Sequence, residues 1–67
     1  MDELIARDLI VYETNMVPSR IDIDGNDIMI TFPRREMDYF NTTAEEVEKR
    51  LGDLLPKDYR VFVEVED

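Results

Sequence analysis

The chain has no cysteine, no histidine and no tryptophan, and among its 67 residues there are only two glycines and one serine, Ser19. Each absence removes a class of chemistry. Without cysteine there is no disulfide and no thiol redox chemistry, which fits a reducing compartment and is compatible with any other; the cytoplasm is the default location only because a membrane span and a secretory signal are also missing. Without histidine or cysteine the usual nucleophile and base pairs cannot be assembled around Ser19, and no Cys/His zinc site can staple the fold. Two glycines, Gly25 and Gly52, cannot make a glycine-rich phosphate loop. No run of about 20 apolar residues is present to span a bilayer, and the start MDELIARD lacks the basic region of a secretory signal. The chain reads as a non-enzyme with no cofactor, no metal and no membrane contact.

Positive charge is also scarce. Eight Lys and Arg stand against 17 Asp and Glu, a formal net charge of −9, and the sequence pI is near 4.3. Such a field repels phosphate backbones and anionic lipid and favours encounter with basic partners. The acids are spread along the chain, so they decorate a fold and do not form a tail. Asp22, Asp24, Asp27, Glu45, Glu48, Glu64 and Glu66 are taken as the acidic surface. With only Lys49 and Lys57 as lysines, the same acidity also suits solubility or a salty cytoplasm.

Enough apolar residues remain to fold, at 43% of the chain. A single domain of this size buries only about 60% of the surface its unfolded chain exposes, so its stability is modest and self-association is a live alternative.

The first segment, DELIARDLIVYET, supports two readings. Leu4, Ile5, Leu9 and Tyr12 fall at helical spacing behind Asp2 and Glu3, whereas LIVYE is dense in β-branched and aromatic residues. The second signal is preferred here, giving a strand over about residues 7 to 14. Pro18 then breaks the chain.

RIDIDGNDIMITF, residues 20 to 32, raises the question of a calcium loop. Counted from Asp22, an EF-hand loop needs glycine at position six and glutamate at position twelve, and finds Asp27 and Pro33. The alternative is a hairpin closing on Gly25-Asn26, which pairs Asp24 with Asp27, Ile23 with Ile28 and Ile21 with Ile30. Every isoleucine then lies on one face; closing on Asp24-Gly25 instead shifts the register by two residues and keeps that facing, and the hairpin, about residues 19 to 33, is the reading adopted.

The stretch PRREMDYFNTT has no clean period and reads as a connection of about ten residues, longer than the usual four to six. It carries Arg34, Arg35, Met37, Tyr39 and Phe40, the composition of an interface hot spot or of a single-strand stacking platform. The competing reading makes the aromatics a cap on the core and the arginines local neutralisers.

A helix over about residues 43 to 55 is the clearest element. A threonine cap, Glu45 or Glu46 three residues on, and an apolar stripe of Val47, Leu51, Leu54 and Leu55 define it, and Pro56 ends it. The last segment alternates over about residues 59 to 66, with Tyr59, Val61, Val63 and Val65 on one face. Arg60, Phe62, Glu64 and Glu66 share the other. If Met29 lies beside Phe62 there, that second face carries an apolar patch suggestive of a homodimer.

A right-handed crossover would lay this strand parallel to the second hairpin strand. The expected fold is α+β, a two-layer sandwich of order β-β-β-α-β with a three- to four-stranded sheet covered on one face by a single helix. The expected function is a protein-interaction module, such as an inhibitor or regulatory subunit, for a basic or nucleic-acid-handling partner. The alternatives are a nucleic-acid-binding domain using the Arg34 to Phe40 loop, disfavoured by charge, and a homodimeric scaffold without a ligand.

Overall fold

A computed structural model describes residues 1–67. It is a small α+β fold in the order α1 (Glu3–Thr14), β1 (Arg20–Asp24), β2 (Asp27–Pro33), α2 (Arg34–Tyr39), α3 (Ala44–Leu54) and β3 (Arg60–Glu66). The sheet has three strands, in order β1-β2-β3, with β1 antiparallel and β3 parallel to β2.

Of the two closures the sequence allows, the hairpin takes the one on Gly25-Asn26, with Ile21 opposite Ile30, Ile23 opposite Ile28 and Asp24 opposite Asp27. Gly25 takes φ +60° as the first of the two turn residues, while Asn26 keeps a negative φ. That sign pattern belongs to a type II′ turn, whose first central position is glycine because a Cβ there is strained. Ile21, Ile28, Ile30 and Phe32 drop into the core, and β3 adds half-buried Val61, Val63 and Val65 to the same face.

Residues 7 to 14 are not a strand. They belong to α1, which has both of its ends specified. The Asp2 carboxylate accepts from the Leu4 N–H at 2.9 Å, and Asn15 closes the helix in the left-handed conformation with its N–H on the Val11 carbonyl. Ala6, Ile10 and Thr14, each four apart, form the buried stripe. Thr14 is buried without penalty, because its hydroxyl donates to the Ile10 carbonyl at 2.7 Å and accepts from the Met16 N–H at 3.1 Å. Termini and stripe together outweigh the β-propensity of Ile10, Val11 and Tyr12, which a short helix tolerates at a few tenths of a kcal/mol each.

The connection after β2 is also not irregular: α2 occupies its first half. Its order comes from Met37, which is 2% exposed and packs into the core. Helix α3 follows the expected boundaries, its N-terminus held by the Thr43 hydroxyl, which accepts from the Glu46 N–H at 3.3 Å. Val47 and Leu51 face the core and Leu55 closes it just beyond the helix end, whereas Leu54 is exposed. Gly52 lies on the exposed side of the last turn, with no neighbour within 4 Å of where a Cβ would stand, so no close approach explains it. Three helices thus replace the single one expected. α1 lies against β1 and α3 against β3, the two touch each other, and α2 packs at the end of β2 and β3.

Candidate interaction surfaces

All the helical cover is on one side, so pleating decides what the other side presents. Since Ile21, Ile28, Ile30 and Phe32 point inward, the alternate residues point out: Arg20, Asp22 and Asp24 from β1, Asp27, Met29 and Thr31 from β2, Arg60, Phe62, Glu64 and Glu66 from β3. The register arranges them in rows. Asp24, Asp27 and Arg60 form one, Asp22, Met29 and Phe62 the next, and Arg20, Thr31 and Glu64 a third.

Five of the seven acidic-surface residues, Asp22, Asp24, Asp27, Glu64 and Glu66, therefore share this helix-free face. The other two, Glu45 and Glu48, are on α3 in the opposite layer. Arginines neutralise part of the face. Arg60 holds Asp27 through two bonds, Nε to Oδ1 at 2.7 Å and Nη2 to Oδ2 at 3.0 Å, and Arg20 Nε lies 2.9 Å from Asp22 Oδ2. The first pair also relieves the juxtaposition of Asp24 and Asp27 at the turn. Asp24, Glu64 and Glu66 make no ion pair. The turn carboxylates do not converge into a group that could hold a metal ion.

The residues of the Arg34 to Phe40 segment are dispersed. Met37 is in the core. Arg34 Nε donates to Asp67 Oδ1 at 2.6 Å, and this hydrogen bond, with the carboxylate's charge, raises the guanidinium pKa above its ordinary value. Arg35 is exposed without an ion-pair partner. Tyr39 and Phe40 meet edge to face, centroids 4.9 Å apart at 79°, both reachable from solvent. Ser19 Oγ donates to the Thr31 carbonyl at 3.2 Å, a structural bond beside the hairpin.

The helical spacing of Leu4, Ile5 and Tyr12, set aside in favour of a strand over residues 7 to 14, marks a further surface. On α1 the side away from the core carries Leu4, Ile5 and Tyr12, the last 84% exposed, around Asp8. The spacing 4, 5, 8, 12 marks one helical face. No helix of the chain is long and apolar enough to cross a membrane.

No protein-family model matches the chain, and neither a curated protein nor a solved structure matches it.

Proposed function

We propose that the chain is a small acidic interaction module, acting as an inhibitor or regulatory subunit, that engages a basic or nucleic-acid-handling protein through its helix-free sheet face. The observation that carries this reading is the set of unpaired carboxylates, Asp24, Glu64 and Glu66, which stand in different rows of one regular β-surface around the apolar pair Met29 and Phe62. Strand pleating fixes their spacing, so the face offers basic groups a rigid array of acceptors around a hydrophobic centre. Electrostatic steering by a net −9 chain would speed the encounter and make it sensitive to salt.

The test is retention from a nuclease-treated lysate of the source at two salt concentrations. Wild type is compared with Asp24→Lys/Glu64→Lys on the sheet face and with Glu45→Lys/Glu48→Lys on α3. The expected result is a basic protein retained by wild type and the α3 variant, released by salt, displaced by DNA and lost with the sheet-face variant. Equal retention by both variants, or none by wild type, removes the sheet face as a recognition surface. Direct, salt-sensitive binding of DNA or RNA that is lost in Arg34→Ala/Arg35→Ala/Phe40→Ala would replace this reading with the nucleic-acid-binding one.

A further inference from the structure

β3 is an outer strand of the sheet and has an unprotected edge. The Arg60 N–H donates to the Asn26 carbonyl at 2.8 Å. In a parallel ladder this turns the peptide groups of Arg60, Phe62, Glu64 and Glu66 toward β2 and those of Val61, Val63 and Val65 outward. None of the loop and cap hydrogen bonds reaches these outward groups. β3 carries charges only on its helix-free face, Arg60, Glu64 and Glu66, and lacks the other devices that blunt an edge: it contains no lysine or proline, its register runs without a bulge for seven residues, and no charge points inward. The other outer strand, β1, is shorter at five residues, and Pro18 precedes it closely. On the core side, Val61, Val63 and Val65 are only half-buried, whereas Ile28, Ile30 and Phe32 on β2 are fully buried. The core thus stops short at the β3 edge.

We infer that β3 pairs antiparallel with β3 of a second copy of this chain, about a two-fold axis at Val63, to form a continuous six-stranded sheet. This register sets Val61 opposite Val65 of the second copy and Val63 opposite Val63, as hydrogen-bonded pairs. Every outward N–H and C=O of the three valines is then used, and their side chains close the core edge across the axis. On the helix-free face the same register sets Arg60 opposite Glu66 of the second copy, twice by symmetry, so the charges complement one another. Phe62 stands opposite Glu64 and diagonal to Phe62 of the second copy, about 7–8 Å away and within aromatic reach. An axis at Phe62 would instead place Val65 against Tyr59, whose N–H is already bound to the Pro56 carbonyl at 3.0 Å. The inference does not rest on the proposed function, although it engages Glu64, Glu66 and Phe62 of the same face: it is read by mass, the other by retention of a partner.

The experiment is sedimentation or light scattering of the whole chain over a concentration series, with two sets of variants. Wild type is expected to pass from 8.0 kDa to twice that mass as concentration rises. Arg60→Glu should weaken the dimer about tenfold, and Arg60→Glu/Glu66→Arg should restore it, a rescue that only facing charges produce. Both positions are exposed, but Arg60 also pairs with Asp27 of its own chain, so circular dichroism and urea unfolding check that each variant is folded at the concentrations used. Because the chain has no cysteine of its own, Phe62→Cys mixed with Glu64→Cys should form an intermolecular disulfide on oxidation, while Phe62→Cys alone should not. A mass of 8.0 kDa at every concentration overturns the inference. So does a dimer indifferent to the charge exchange, or disulfide formation by Phe62→Cys alone. A dimer lost only with Leu4→Ser/Tyr12→Ser would place the contact on α1 and also overturn it.

Discussion

Met29 and Phe62 are register partners across β2 and β3 on the side of the sheet that no helix covers, 39% and 41% exposed. They are the only large apolar side chains on that side, and their register sets them side by side on neighbouring strands outside the core. A double-mutant cycle with Met29→Thr and Phe62→Thr should give a coupling of about 0.2–1 kcal/mol in urea unfolding. Strict additivity would mean that the two side chains do not interact.

The inner face of the same strands is far less tolerant. Phe32 is fully buried and among the largest side chains of the core. Phe32→Ala should cost about 3–5 kcal/mol, most or all of the stability of so small a domain, whereas Ile30→Val should cost about 0.5–1.5 kcal/mol and leave a cooperative transition. Far-ultraviolet circular dichroism against urea reads both, and a cooperative Phe32→Ala transition near the wild-type midpoint would contradict the described core.

Two helix caps predict similar losses at distant places. Asp2→Ala removes the acceptor for the Leu4 N–H and Thr43→Ala the acceptor for the Glu46 N–H. Each should lower stability by about 0.5–2 kcal/mol, while Asp8→Ala, on the exposed side of α1, should not. The Asp2 result bears directly on the helical nature of the first segment, because a strand there would be indifferent to it.

The Arg34–Asp67 pair makes a prediction about pH. Hydrogen bonding and charge attraction raise the arginine pKa, so whatever the pair contributes is complete below the unfolded-state value and is lost only as pH rises through the folded one. Both side chains are largely exposed. Arg34→Gln should therefore leave the urea midpoint unchanged within error from pH 6 to pH 9. A pH-dependent difference between variant and wild type in that interval would show that Arg34 acts through other groups.

Salt should stabilise the fold. With 17 acidic groups against 8 basic ones and only four ion pairs, self-repulsion outweighs attraction at the surface, and added electrolyte screens the larger effect. The melting temperature should climb as sodium chloride is raised from low concentration, by about 4–8 °C for each kcal/mol gained. A falling melting temperature would mean that the ion pairs outweigh the repulsion.

What the sequence disclosed follows from how many signals agreed at each place. In the hairpin, isoleucine alternation set the facing while turn chemistry left two closures, on Gly25-Asn26 or Asp24-Gly25, of which the fold takes the first, and in α3 the cap, the stripe and Pro56 coincided. In β3 a clean alternation sufficed for the strand and its facing. α1 was misread because its Ile10, Val11 and Tyr12 spoke for a strand while the deciding features were at its ends, an aspartate before it and an asparagine able to adopt φ 60° after it. α2 is too short for a period to show; one buried methionine holds it. Of the proposed contact residues, pleating made the grouping of Asp22, Asp24, Asp27, Glu64 and Glu66 legible, since alternation alone sets them on one side. The dispersal of Arg34, Met37 and Tyr39 was not legible, because it depends on how α2 turns.

The central strand has two very different neighbours in sequence. β1 joins β2 across a two-residue turn, while Asp27 meets Arg60 33 positions later, after two helices have been laid down. Closing the first contact is a microsecond event for a hairpin, whereas the second must wait for the long loop to contract. Folding should accordingly start in residues 20 to 33 and finish with the docking of β3. Substitutions in the hairpin would then slow refolding, and those at Val61 or Val63 would act mainly by hastening unfolding.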